Sequence, residues 1–183
     1  MKNRMEMAVM IILTAMVFLL FSNDSHGSFI IALSFLIAVS QGAIALVATV
    51  DIAGGKWTYP IKKRLLAFYP MIFMACVLFP LMWQHFSPGY AAPNVWLNKE
   101  FLVVRNTLVL FVSFMLARKF AVESLKESPA KNVYAVLYLI VFMLSQTMTA
   151  IDLVMRLEYP WVSTLFGGYF AVEAVYAGLA AAG

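Results

Sequence analysis

Several charged residues of this sequence lie within largely apolar stretches, and three of them could do chemistry there. Asp152 ends one apolar stretch, Glu173 lies inside the next, and Arg105 lies just inside an earlier one. A charged side chain at the centre of a bilayer costs at least about 2.5–3.5 kcal/mol, so such residues are neutral, paired or next to water. Buried carboxyl groups can relay protons, whereas an acid beside an arginine can join two helices through hydrogen bonds.

Asp152 is the expected partner of Arg105. Arg105 lies three residues into a stretch that begins at Leu102, and Asp152 lies at the end of a stretch that begins at Val133. If the two stretches cross a membrane in opposite directions, these side chains meet at comparable depth near one interface. Two interpretations stay open: a structural ion pair, or a proton-relay carboxylate whose charge state Arg105 sets.

Polar residues recur at helical spacing before Asp152. Ser145, Thr149 and Asp152 share one helical face, with Gln146 beside it. Side chains three and four residues apart lie next to one another on a helix, so the face is expected to point into the protein or water and not into lipid.

A second set of polar residues surrounds Glu173. Tyr169, Glu173 and Tyr176 share a face, and Glu173 lies roughly 13 Å into its stretch at 1.5 Å per residue. A carboxyl group at that depth is protonated or paired. One hypothesis is a proton path made of Asp152, Glu173, Tyr169, Thr149 and Glu158. The alternative for Glu173 is a neutral acid bonded to the backbone or to a tyrosine.

The composition predicts an all-α integral membrane protein. With 63% apolar and 12% charged residues, a soluble domain of 183 residues could not cover itself with polar surface. About six stretches approach the roughly 20 residues that cross a bilayer as a helix. They are Met5–Phe21, Phe29–Val50, Leu65–Phe86, Leu102–Phe120, Val133–Leu153 and Thr164–Ala182. The first is expected to be a retained span, and the chain (1–183) to form a single domain.

The basic residues predict an orientation. Ten of them fall on one side of the six-span arrangement and two, Lys99 and Arg156, on the other. Since cytoplasmic loops carry the excess of Lys and Arg, both termini are expected in the cytoplasm. In the basic loop 51–64, Trp57 and Tyr59 are expected to lie at headgroup depth, unless the loop docks a partner. Nucleic acid is not implied.

The sequence offers few ligands for a redox centre. Cys76 is the only cysteine, which excludes a Cys-ligated iron–sulfur cluster or an attached c-type haem within this chain. The two histidines, His26 and His85, are poorly placed for a haem site. No catalytic residue or metal ligand is assigned, and the chain itself is expected to bind no cofactor.

Small residues form narrow faces on the second and sixth spans. The second carries Ala38, Gly42, Ala45 and Ala48, and the sixth carries Ala174, Ala177, Gly178 and Ala181. Such faces allow close approach of helices, either within this chain or to a partner subunit.

The segment Asp152–Phe170 has the most specific pattern in the chain. It resembles a segment of the second polytopic membrane subunit of alternative complex III, a quinol:cytochrome c/HiPIP oxidoreductase, of the polysulfide-reductase membrane-subunit type. That family reads approximately Asp-Trp-Leu-Met-Ser-Leu-Glu-Pro-His-Trp-Tyr-Ser-Thr-Ile-Phe-Gly. The matching positions are Asp152, Met155, Leu157, Glu158, Trp161, Ser163, Thr164, Phe166 and Gly167.

Two further elements agree with the same family in the same order. The stretch Gly54-Gly-Lys-Trp, followed by Pro60-Ile-Lys-Lys, is similar to its Gly-Gly-Arg-Trp and Pro-Ile-Arg-Arg. The stretch from Leu97 to Arg105 is similar to its Leu-Asn-x-x-Phe-Phe-x-x-Arg. The family subunit is about twice as long, has a small residue near Glu173 and has its proline one residue before Pro160, so a shortened relative is implied.

The resemblance implies a non-redox subunit of a quinol-oxidising respiratory complex, multi-pass in a bacterial inner membrane. It would anchor the assembly and could contribute a proton path. Partner subunits would carry c-type haem and iron–sulfur clusters, and another membrane subunit would bind the quinol. Two alternatives stay open: a quinol-binding subunit that uses His85 or Glu158, and a stand-alone small proton or solute transporter.

Overall fold

A computed structural model of the chain describes residues 26–81, 98–155 and 161–183. All regular elements in these ranges are helices: α1 (His26–Ile52), α2 (Lys62–Leu66), α3 (Tyr69–Leu78), α4 (Lys99–Leu125), α5 (Lys131–Thr149), a π-helical turn (Ala150–Val154) and α6 (Phe166–Ala182). Four helical stretches are long and apolar enough to cross a membrane: Gly27–Ile52, Lys62–Leu81, Lys99–Leu125 and Lys131–Val154. The apolar helix α6 is shorter.

These stretches overlap the second to fifth predicted spans, and α6 overlaps the sixth. The first, Met5–Phe21, lies outside the described residues. Six spans and cytoplasmic termini therefore stay predictions, whereas the all-helical fold agrees with the structure.

Helix α1 is the centre of the bundle. It packs against α6, α5 and α3, and 72% of its most apolar window is buried inside the protein. The first turns of α1 are less buried than the rest of the helix, since Ile31 and Phe35 are 68% and 65% exposed. The remaining helices surround α1 and turn much of their apolar surface outward, as expected where the surrounding medium is lipid.

The third predicted span is two helices and not one. Helix α2 ends at Leu66, and α3 begins at Tyr69 with Pro70 in its first turn. A proline lacks the N–H that a helix interior needs and clashes with the carbonyl four residues earlier, here that of Leu66. In the first turn of a new helix, neither effect is costly. The helix of this span is therefore interrupted here, although the whole stretch Lys62–Leu81 is long and apolar enough to cross a membrane.

Helices α1 and α6 touch backbone to backbone. A Cβ atom placed on Gly42 would lie 1.8 Å from the carbonyl oxygen of Ala174, and one placed on Gly178 would lie 2.2 Å from the backbone nitrogen of Ala43. No side chain fits into either gap. Of the two uses expected for the small residues, these glycines serve packing within the chain.

We expect Gly42→Ala and Gly178→Ala to destabilise the bundle by about 1–3 kcal/mol or more, because the new methyl group meets backbone that cannot rotate away. The measurement is the thermal midpoint of unfolding in mild detergent. Gly168→Ala is the matched control, since a Cβ there has nothing within 4 Å. That variant should be neutral or slightly stabilising, because alanine favours helix. Equal midpoints for Gly42→Ala and Gly168→Ala would contradict the close contact.

Candidate functional site

The first two turns of α4 position Arg105. The side-chain Oδ1 of Asn98 accepts a hydrogen bond of 2.9 Å from the backbone N–H of Glu100, which caps the helix. One turn later, the Phe101 ring lies 4.9 Å from the guanidinium carbon of Arg105. A guanidinium over an aromatic face is attracted to it. Arg105 is thus oriented by its own helix and is 9% exposed.

Asp152 approaches Arg105 from the end of α5. Its Oδ2 lies 2.5 Å from Nη2 of Arg105 and accepts a second hydrogen bond of 2.7 Å from Nδ2 of Asn106. Nδ2 of Asn106 also donates to the carbonyl oxygen of Leu102, at 3.0 Å. The side chain of Asp152 is completely buried. These three residues form one charged cluster, called here the Asp152 cluster.

One carboxylate oxygen of the Asp152 cluster has no donor among the described residues. Both described donors bind Oδ2, and within the described ranges Oδ1 of Asp152 is buried without a hydrogen-bond partner. A buried carboxylate oxygen is a strong acceptor, and leaving it without a donor is costly. Oδ1 of Asp152 can therefore accept a hydrogen bond from a water molecule or from a protonated group.

A π-helical turn carries Asp152. The helix that begins at Lys131 changes to π geometry at Ala150 and keeps it to Val154. A π turn holds one more residue than an α turn and occurs often at functional sites. Ser145, Gln146 and Thr149, in the α-helical part just before it, are all buried. The polar face predicted before Asp152 therefore points into the bundle.

A second polar cluster lies in the middle of the bundle, around Gln41. Its Nε2 donates to Oγ of Ser113 at 3.1 Å and to Oγ of Ser145 at 3.0 Å. Its Oε1 accepts from Nε2 of Gln146 at 2.7 Å, and its backbone oxygen accepts from the hydroxyl of Tyr138 at 2.9 Å. These bonds join α1, α4 and α5.

Sequence reasoning missed Gln41, Ser113 and Tyr138 as members of this cluster. The available signal was an amide side chain within an apolar stretch, since such a group needs a partner inside the protein.

A third cluster, called here the Lys62 cluster, joins the ends of α1 and α4 to the starts of α2 and α5. Nζ of Lys62 lies 3.0 Å from Oδ1 of Asp51 and 3.0 Å from Oε1 of Glu127. Oδ2 of Asp51 accepts a 2.5 Å bond from Oγ of Ser124, and Lys131 pairs with Glu127. Lys62 was predicted only as a loop cation, yet it is 4% exposed.

Glu127 connects this cluster to solvent. It follows α4 with a φ of 52°, and its carboxylate is 44% exposed. Hydrogen bonds from Lys131 and then from Lys62 lower the pKa of Glu127 to about 2. Nearby, Trp57 and Tyr59 are 58% and 53% exposed.

The proposed proton-path residues are divided between two faces. Thr149 and Asp152 are buried, whereas Tyr169 and Glu173 are exposed and lie one helical turn apart on α6. Among the described residues, no hydrogen bond or ion pair links Asp152 to Glu173. Glu158 and His85 lie outside the described residues. The described ranges contain no group of three His, Cys, Asp or Glu side chains that could hold a metal ion.

Two of the three sequence elements from which a family resemblance is predicted meet in the Asp152 cluster. The element from Leu97 to Arg105 supplies the helix cap, the stacked Phe101 and the guanidinium. The element that begins at Asp152 supplies the carboxylate. Comparisons of the chain with protein-family models, curated proteins and solved structures give no match.

We expect Arg105→Leu to destabilise the protein by about 3–5 kcal/mol, because it leaves Asp152 charged and buried without its cation. The double variant Arg105→Leu/Asp152→Leu should recover part of that loss, since it removes both charges. Thermal midpoints in mild detergent measure both effects. Arg118→Leu is the matched control, because Arg118 is an exposed residue of the same helix. An Arg105→Leu variant with the thermal midpoint of the wild type would show that the Arg105–Asp152 pair does not hold the two helices together.

The low pKa of Glu127 predicts a pH-dependent stability. A carboxylate whose pKa is lowered on folding stabilises the fold above its unfolded value, near 4.5, and loses that effect as the pH falls toward 2. The thermal midpoint should therefore differ between wild type and Glu127→Gln at about pH 6, and the two should converge on acidification. A constant difference across that range would contradict the assignment.

Proposed function

We propose that this chain is a non-redox integral membrane subunit of a quinol-oxidising respiratory complex similar to alternative complex III. In this proposal it spans a bacterial inner membrane six times, with both termini in the cytoplasm. It anchors the assembly, while partner subunits carry c-type haem and iron–sulfur clusters and another membrane subunit binds the quinol.

The observation that supports the proposal most is the meeting of two family-like elements in the Asp152 cluster. They join through Arg105 and Asp152, which are 47 positions apart in the chain and are both buried. A stacked arginine and a capped helix start are specific features, and a generic membrane helix pair needs neither of them. The order of the three elements along the chain adds to this support.

The third family-like element supports the orientation. Residues 54–64 lead into the Lys62 cluster at the opposite end of α4 from Arg105. In the proposed topology this end is cytoplasmic. The exposed Trp57 and Tyr59 then lie at the headgroups, where aromatic side chains are favoured, and the cations lie on the cytoplasmic side.

In this proposal, Asp152 transfers protons. Oδ1 accepts a hydrogen bond from an incoming donor, and Arg105 with Asn106 holds Oδ2 and keeps the carboxylate in one rotamer. Thr149 lies one turn before Asp152 on the same buried helix. Glu173 and Tyr169 lie together on the outward face of α6. A proton path through both Asp152 and Glu173 would therefore need water or a partner subunit between these two acids.

A small transporter is the second candidate, because the stretch Lys62–Leu81 is interrupted between α2 and α3, just before Pro70. Broken helices are a feature of transporter substrate sites. The third candidate is a quinol-binding subunit, for which His85 and Glu158 would serve as proton acceptors.

The first experiment is purification of the chain from its native membrane in mild detergent, followed by mass spectrometry and a haem spectrum. We expect c-type cytochromes and an iron–sulfur subunit to co-purify. Arg105→Leu should reduce their recovery several-fold, whereas the control Arg118→Leu should not. A homo-oligomer without haem would overturn the proposal and favour the transporter.

If Asp152 relays protons, its substitution should lower turnover without preventing assembly of the complex. Asp152→Asn keeps an oxygen that can accept from Arg105, so the complex should assemble, while quinol-driven proton release should fall by about tenfold or more. Glu173→Gln provides the comparison at the second acid. If proton release is unchanged in assembled Asp152→Asn complex, Asp152 is structural.

A further inference from the structure

A groove of about 650 Å³ lies between the first half of α1 and the middle of α6. Ile31 and Phe35 line it from α1, and Val172, Glu173 and Tyr176 line it from α6. All five side chains are exposed, and four of them are large and mainly apolar. The groove therefore has two apolar walls and is open to the surroundings of the protein, with a single acid in one wall.

Small residues form the more buried part of the groove. Ala38 of α1 and Ala174 and Ala177 of α6 line it as well, and the first two are buried. The carbonyl group of Ala174 is also the one that lies against Gly42, so the groove adjoins the close contact of α1 and α6. Small residues allow the backbone of a further helix to approach closely in a membrane. The shape and lining of the groove thus suit a helix.

One residue of this groove does not suit contact with lipid. Glu173 lies seven residues after Phe166, the first residue of α6, which is roughly 10 Å along the helix at 1.5 Å per residue. In the proposed membrane arrangement, this distance places the carboxyl group within the hydrocarbon layer, where headgroup cations do not lie. A carboxylate that faces hydrocarbon is strongly disfavoured, so a cation or a strong donor is needed beside it.

The described part of the chain supplies no cation to Glu173. The described residues that line the groove include no Lys, Arg or His, and the ion pairs within the described ranges do not involve Glu173. Tyr169, one turn earlier on α6, carries no positive charge. The buried acids Asp51 and Asp152, in contrast, each have a cation within the chain. The positive charge expected beside Glu173 therefore belongs to whatever fills the groove.

We propose that a transmembrane helix of a partner subunit lies in this groove and pairs a Lys or Arg side chain with Glu173. The rest of the side of that helix that faces the groove is apolar, to match the two walls. Each charge compensates the other, because either one alone would be costly at this depth. The inference rests on the proposed function, since it requires a partner subunit in the same membrane.

Photo-crosslinking in native membranes tests the proposal. The photoreactive amino acid p-benzoylphenylalanine replaces Phe35 in one variant and Tyr176 in another, so that an aromatic side chain is kept in each wall. The matched control carries it in place of Leu108, which is 59% exposed but belongs to α4. After illumination and purification, mass spectrometry identifies the linked peptides. Both groove positions should link to one apolar helix of a co-purifying subunit, with a Lys or Arg within about one turn of the linked residue, and the control should not link to that helix.

The results separate the possible occupants. Links to lipid alone, to residues of the same chain, to a second copy of the chain or to a helix without a basic residue would each overturn the proposal. The haem spectrum of the same preparations tests the proposed function separately. Haem-containing subunits without a linked basic helix would overturn this inference alone, whereas a linked basic helix without haem would overturn the electron-transfer role and keep the docking site.

The charge pair has its own test. Glu173→Lys should lower the yield of links from Tyr176 by about tenfold or more, because like charges that face each other across an interface repel strongly. Exchange of the partner's basic residue for Glu should restore that yield in the Glu173→Lys variant. Leu108→Lys, which adds the same charge on α4, should leave the yield unchanged. Equal losses in Glu173→Lys and Leu108→Lys, or no recovery with the exchanged partner residue, would overturn the pairing.

Discussion

Lipid offers no hydrogen bonds, so polar side chains inside a membrane-spanning bundle depend on other parts of the protein for their partners. Helix α4 shows how this constraint organises the structure. It contributes Asn106 to the Asp152 cluster, Ser113 to the Gln41 cluster and Ser124 to the Lys62 cluster. These residues are seven and eleven positions apart, and both spacings return to nearly the same helical face. One face of α4 thus joins α5 at one end, α1 and α5 in the middle, and α1 at the other end.

The other constraint is the close approach of α1 and α6. Dispersion between closely packed backbones replaces the hydrophobic effect, which does not act between helices in lipid. Gly42 and Gly178 allow that approach. It fixes the position of the α6 backbone along α1, because Gly42 lies against Ala174 and Gly178 lies against Ala43. Packing and polar chemistry are therefore coupled in α6: the same contact that buries one side of the helix turns Tyr169 and Glu173 outward.

The Asp152 cluster was largely predictable from sequence, because a charge within an apolar stretch needs an opposite charge at the same depth. Only one acid met that condition for Arg105. Asn106 was missed, since an amide can be satisfied in many ways. The Lys62 cluster was also missed. Asp51, Lys62 and Glu127 lie at helix ends and in a connection, where a sequence cannot distinguish a solvated charge from one that a neighbouring helix covers. The positive φ of Glu127, which directs its carboxylate toward Lys62 and Lys131, has no signature in the residue type.

The sequence by itself determined that the chain is helical with stretches long and apolar enough to cross a membrane, where most helices lie, and that Ser145, Thr149 and Asp152 share a buried face. Hydropathy and periodicity contain that information, because they depend on residues close together in the chain. Only the tertiary structure decided that Tyr169 and Glu173 face outward, that Pro70 divides one predicted span into two helices, and that a π turn carries Asp152. Periodicity specifies the angle between residues on one helix. The direction in which a given face of that helix points depends on which other helices pack against it, and hence on contacts between distant parts of the chain.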